Sequence, residues 1–108
     1  MTLPGSQRDP AEQFQALYIA GFDLETFERY PKSVAVVRGE CIALLVPGPD
    51  GLQILGSPGW KIGSELAVLT TVEGKPVFQF KQQIVEATEE RRNLLQVFRD
   101  DLIRIMRS

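Results

Sequence analysis

The residue types that most often carry chemistry are scarce in this chain, which has no histidine and one cysteine, Cys41, among 108 residues. The missing imidazole removes the commonest general base, the commonest zinc and iron ligand and the usual pH switch. A thiolate at Cys41 would need another activator, and its place beside Glu40 at the start of an apolar run reads as a buried structural thiol. The pairs Glu89-Glu90 and Asp100-Asp101 do not form carboxylate dyads, because neighbouring helical residues point about 100° apart. Glu89 and Glu90 suit the start of a helix dipole, and Asp100 an i,i+4 pair with Arg104. Neither Gly39-Glu40-Cys41 nor Pro49-Asp50-Gly51 has the acidic spacing of a calcium loop. No catalytic constellation, metal site or cofactor is expected.

Two further segments resemble ligand sites at first sight. Gly56-Ser57-Pro58-Gly59-Trp60-Lys61-Ile62-Gly63 is glycine-rich with a lysine, yet it lacks the spacing of a phosphate-binding loop and opens no helix, so it reads as a turn. Trp60, the only tryptophan, lies between glycines and is a candidate contact for a partner or ligand, or a plug for the core. From Arg91 to Ser108 there are five arginines, which Glu89, Glu90, Asp100 and Asp101 nearly neutralise into a solvated, salt-bridged face.

Twelve basic against fourteen acidic residues give a formal net charge of −2, which argues against nucleic acid as a partner. The first ten residues carry no apolar signal segment, and no run approaches the roughly 18 apolar residues of a membrane span. With no possible intrachain disulfide, the chain is expected to be cytoplasmic.

Positioning elements follow from local patterns. Residues 1–8 read as a flexible terminus, and 9–108 as one domain. Asp9-Pro10-Ala11-Glu12 opens a helix that should run to about Ala20 and stop at Gly21, with Phe14, Leu17 and Tyr18 on one face. A second helix is expected from Asp23 to Tyr30, ended by Pro31, with Leu24 and Phe27 inward. Strands are expected over Ser33–Arg38, Cys41–Val46, Leu52–Leu55, Leu66–Val72 and Val77 to about Glu86. A last helix should span about Glu89 to Arg107. The expected fold is therefore α+β: a five-stranded antiparallel meander, open or curled into a partial barrel, with two N-terminal helices and one long C-terminal helix packed on it.

On that last helix Leu94, Leu95, Phe98, Leu102, Ile105 and Met106 cover an arc of about 120°, while Val97 and Ile103 fall outside it and widen the apolar surface to about 240°. A non-enzymatic interaction module that forms a homodimer through Val97 and Ile103, or binds another cytoplasmic protein, is the favoured function. The alternative is a small-ligand or cofactor-free enzymatic domain, with a pocket between sheet and helix where Trp60, Tyr18 or Tyr30 and Arg38 meet an acidic ligand.

Overall fold

The computed structural model describes residues 9–26, 32–49 and 51–107. The order is α1 (Pro10–Ile19), β1 (Asp23–Thr26), β2 (Val34–Arg38), β3 (Cys41–Gly48), β4 (Gly51–Ile62), β5 (Glu65–Val72), β6 (Lys75–Phe80), β7 (Gln83–Glu86) and α2 (Glu89–Arg107). The seven strands run antiparallel in chain order, β1 to β7, and curl into a half-barrel. Among the described residues, the expected five strands and three helices are thus replaced by seven strands and two helices. The expectations for residues 1–8 and for 27–30, Tyr30 included, lie outside the described residues.

The helix ends obey local chemistry. The Asp9 side chain accepts a hydrogen bond from the Ala11 N–H at 3.0 Å, and Pro10 occupies the first turn, where its missing N–H is harmless. At the other end Gly21 takes φ 98°, Phe22 N–H donates to Leu17 C=O at 3.0 Å and Gly21 N–H donates to Tyr18 C=O at 3.1 Å. This pair of bonds turns the chain sharply and buries Phe22 beside Leu17.

That turn also explains the first correction. Residues 23–26 form no helix but an edge strand, with Asp23 opposite Val37 and Thr26 opposite Val34. An isolated helix of eight residues is marginal, and a ladder against an apolar strand outweighs its weak local preference. The second correction is that β4 continues through Gly56–Gly59 for twelve residues instead of stopping at Leu55. The third divides Val77–Glu86 at Lys81, whose φ of 55° turns the chain between β6 and β7.

Two apolar clusters sandwich the sheet. On the face covered by the helices, Val36, Ala43, Leu45, Trp60, Ala67 and Phe78 pack with Leu17, Phe22, Phe98 and Leu102. Ala35, Val37, Ile42 and Leu44 form the other cluster, with Leu66 against them. Val36 therefore does not share a face with Ile42 and Leu44, because the two-residue turn at Gly39-Glu40 places it opposite Ala43. Across the second face Lys61 Nζ reaches Glu25 Oε2 at 3.5 Å, linking β4 to the edge strand β1.

Gln13 ties the layers together from a buried position on α1. Its Oε1 accepts the Leu52 N–H at 2.8 Å, and its Nε2 donates to the Met106 carbonyl at 2.7 Å. One side chain thereby covers the outer edge of β4 and one of the carbonyls that the end of α2 leaves without a helical partner.

Candidate notch between two strands

The distinctive opening lies where β4 and β5 part. They pair only at Trp60–Ala67, Lys61–Leu66 and Ile62–Glu65. Beyond these pairs β4 is carried away by a bulge in which Gly56, Ser57 and Pro58 stand opposite the single residue Ala43. The bulge needs Gly56, whose φ of 72° disfavours any side chain, and Pro58, which has no N–H to offer a ladder. Meanwhile β5 runs on to Val72, paired with β6 alone. The result is a notch with a strand edge on each side.

The direction of the backbone groups along β5 follows from its hairpin. Glu73 and Gly74, with φ 51° and 80°, make a two-residue turn, so Val72–Lys75 is a hydrogen-bonded pair. Alternation makes Thr71–Pro76 a non-bonded pair, as the missing proline N–H requires, then Thr70–Val77 bonded and Leu69–Phe78 non-bonded. The N–H and C=O groups of Leu69 and Thr71 consequently point into the notch, and no described residue pairs with them. On the opposite wall Leu52 N–H points outward to Gln13, so Ile54, two residues on, presents its backbone groups in the same direction.

A cavity lies on each face of the notch. On the helix side, an open pocket of about 700 Å³ is lined by Ser57, Pro58, Val68 and Leu69 from the strands and by Arg92 and Arg99, among others, from α2. The lining residues on this side include two guanidinium groups and no carboxylate. Arg92 Nε is anchored on the Ala87 carbonyl at 3.0 Å, whereas Arg99 has no hydrogen-bond or ion-pair partner among the described residues. On the other side, about 550 Å³ is walled by Leu44, Leu55, Leu66 and Val68, with Ser57, Glu65, Gln79 and Lys81 as its polar lining. Val68 and Leu69 are about half exposed, at 50% and 47%.

The residues singled out from the sequence sit elsewhere. Trp60 is a β4 core residue, 4% exposed and stacked on Phe78 with ring centroids 5.1 Å apart, so its ring is not presented to a partner. Arg38 lies over Phe22, 4.7 Å from the ring centroid, and pairs with Asp101 at 3.0 Å. Arg104 holds the other Asp101 oxygen at 3.0 Å, and these two donors lower the Asp101 pKa. Tyr18 is exposed on α1, at no described contact with Arg38 or Trp60. Val97 is exposed on the outer face of α2, and Ile103 is half-buried among Arg99, Asp100, Arg104 and Arg107. Burial raises the Cys41 thiol pKa to about 11.

Among the described residues, no group of three or more histidine, cysteine, aspartate or glutamate side chains is placed to hold a metal ion. No described helix is long and apolar enough to cross a membrane. From the sequence Arg92 and Arg99 read as part of a neutralised, salt-bridged helix face, and Val68 and Leu69 as strand residues with no functional role. The available signal was Gly56–Gly59 inside an apolar stretch, which marks a bulge as readily as a strand end. Compared with protein families, curated proteins and solved structures, the chain matches none.

Proposed function

We propose that this chain is a non-enzymatic binding module whose working surface is the notch between β4 and β5, and that it takes an anionic, partly apolar ligand there. The observation that carries this reading is the pairing of Arg92 and Arg99 with half-exposed Val68 and Leu69 around one cavity whose lining has no carboxylate. On a chain of net charge −2 such a local excess of positive charge is unbalanced, and it lies where apolar surface is also open. The residue types support binding over turnover, since histidine is absent and the only thiol is buried with a raised pKa. A single cysteine kept in the core without a disulfide suits the cytoplasm.

Anilinonaphthalene sulfonate, an anionic aromatic dye, tests this directly. The folded protein should bind it with a blue-shifted emission. Arg99→Glu should weaken the affinity by about tenfold, the scale of one lost charge-assisted contact. Equal affinity in the wild type and in an Arg92→Glu, Arg99→Glu double variant would refute the assignment.

A second reading, self-association through α2, is favoured by Leu94 and Val97, which are 52% and 54% exposed one helical turn apart. In this reading Val97 lies in the contact between two copies, while Ile103, about 180° from Leu94 around α2, lies outside it. Val97→Asp should then convert a dimer to a monomer in light scattering without altering circular dichroism, and a monomeric wild type would exclude it.

A further inference from the structure

Apart from the short stretch of β4 at Ile54 on the facing wall, the open edge of β5 differs from the other strand edges described. The β1 edge carries Asp23 and Glu25, and Gln13 occupies that of β4 at Leu52. At β7, Arg91 Nη1 covers the Glu86 carbonyl at 2.7 Å. Charges and covering groups of this kind keep sheet edges from recruiting further strands. By contrast, Val68-Leu69-Thr70-Thr71-Val72 is uncharged, contains no proline and consists of strong strand formers. Its outward N–H and C=O groups at Leu69 and Thr71 have the alternating polarity that another backbone matches, and a lone phosphate or a lipid chain does not.

Resting on the anionic-ligand reading of the notch, we propose that its ligand is an extended segment of a partner protein that adds to β5 as a further strand. Register then dictates the side chains. Peptide residues directly opposite Leu69 and Thr71 share the face of those two residues, which is the α2 face because Leu69 pairs with buried Phe78. Both therefore point towards Arg92 and Arg99. These arginines stand about 10 Å apart along the helix against about 7 Å between alternate strand residues, a difference their long side chains can absorb. The residue between them points to the opposite face, where Val68, Leu66, Leu55 and Leu44 wall the second cavity. The pattern recognised is acidic, apolar, acidic over three consecutive residues.

The test uses a blocked, fluorescein-labelled peptide containing Glu-Val-Glu between Gly-Ser flanks, titrated by anisotropy against the full chain. Arg99→Glu should weaken its binding by about tenfold, and a Lys-Val-Lys peptide should bind at least as weakly. Methylating the two glutamate amide nitrogens should also weaken binding by about tenfold or more, because it removes the donors to the Leu69 and Thr71 carbonyls. In amide hydrogen exchange, saturating peptide should slow Leu69 and Thr71 by at least about tenfold. If the methylated peptide binds as tightly as its parent, or if those two amides keep their rates, strand addition falls while the anionic notch stands. If neither the peptide nor the sulfonate dye binds, both fall together.

Discussion

Replacing Gln13 with leucine removes two hydrogen bonds that hold three elements together while preserving approximate side-chain size. In the wild type its amide accepts from Leu52 N–H at 2.8 Å and donates to Met106 C=O at 2.7 Å, with only 5% of the residue exposed. Each bond contributes about 1 kcal/mol net, and a buried N–H left without a partner costs about 1–3 kcal/mol. The Met106 carbonyl is only partly buried and recovers some solvation, so the expected loss is about 2–4 kcal/mol. That is a large part of a domain's usual stability of about 5–15 kcal/mol. With a urea slope of about 1.5 kcal/mol per molar, the unfolding midpoint should fall by about 1.3–2.7 M. Urea titration followed by circular dichroism measures this, and hydrogen exchange should show Leu52 among the amides that lose most protection. Gln13→Glu separates the two bonds, since an ionised carboxylate still accepts from Leu52 but faces the Met106 carbonyl without a proton to donate. Burial raises that carboxyl's pKa, so the stability of the variant should rise as pH falls and be lost as pH climbs through the raised value. A midpoint shift under about 0.3 M for Gln13→Leu would show that water replaces the amide freely and would refute the reasoning.

The Cys41 thiol, its pKa pushed up to about 11 by burial, should resist thiol reagents at pH 8 in the folded state and react at once in urea. Because the folded protein holds this proton more tightly than the unfolded chain, stability should fall as pH rises from 9 towards 11, by about 2–3 kcal/mol, in urea titrations at each pH. For Asp101 the sign is opposite: its lowered pKa means the contribution of its pairs with Arg104 and Arg38 is present above the ordinary value of 3.8 and lost as pH falls through the lower, folded value. Asp101→Asn should therefore flatten the acid side of the stability profile, and an unchanged acid slope would show the pairs to be idle. Trp60, stacked on Phe78 inside the sheet, should emit to the blue and resist acrylamide until unfolding, and ready quenching in the native protein would place it elsewhere.

The sequence by itself determined what depends on groups a few residues apart. The Asp9 cap, the stop at Gly21 and the boundaries of α2 at Glu89 and Arg107 are each decided by bonds or charges within about one turn of chain. Residue types likewise ruled on chemistry before any fold was known, because a missing imidazole is missing in every conformation. Tertiary structure decided the rest. Asp23–Thr26 became a strand because β2 offered a partner, a choice local propensity does not contain. Trp60 became core because β4 ran through its glycines, and Arg38 was taken up by Phe22 and Asp101, residues far from it in the chain. The notch itself has no contiguous signature: Gly56–Pro58, Leu69, Thr71, Arg92 and Arg99 come from three elements. Gly56 and Pro58 permit the bulge that parts the two strands, but which strand β4 parts from and which α2 residues face the gap depend on pairing and packing between residues far apart in the chain.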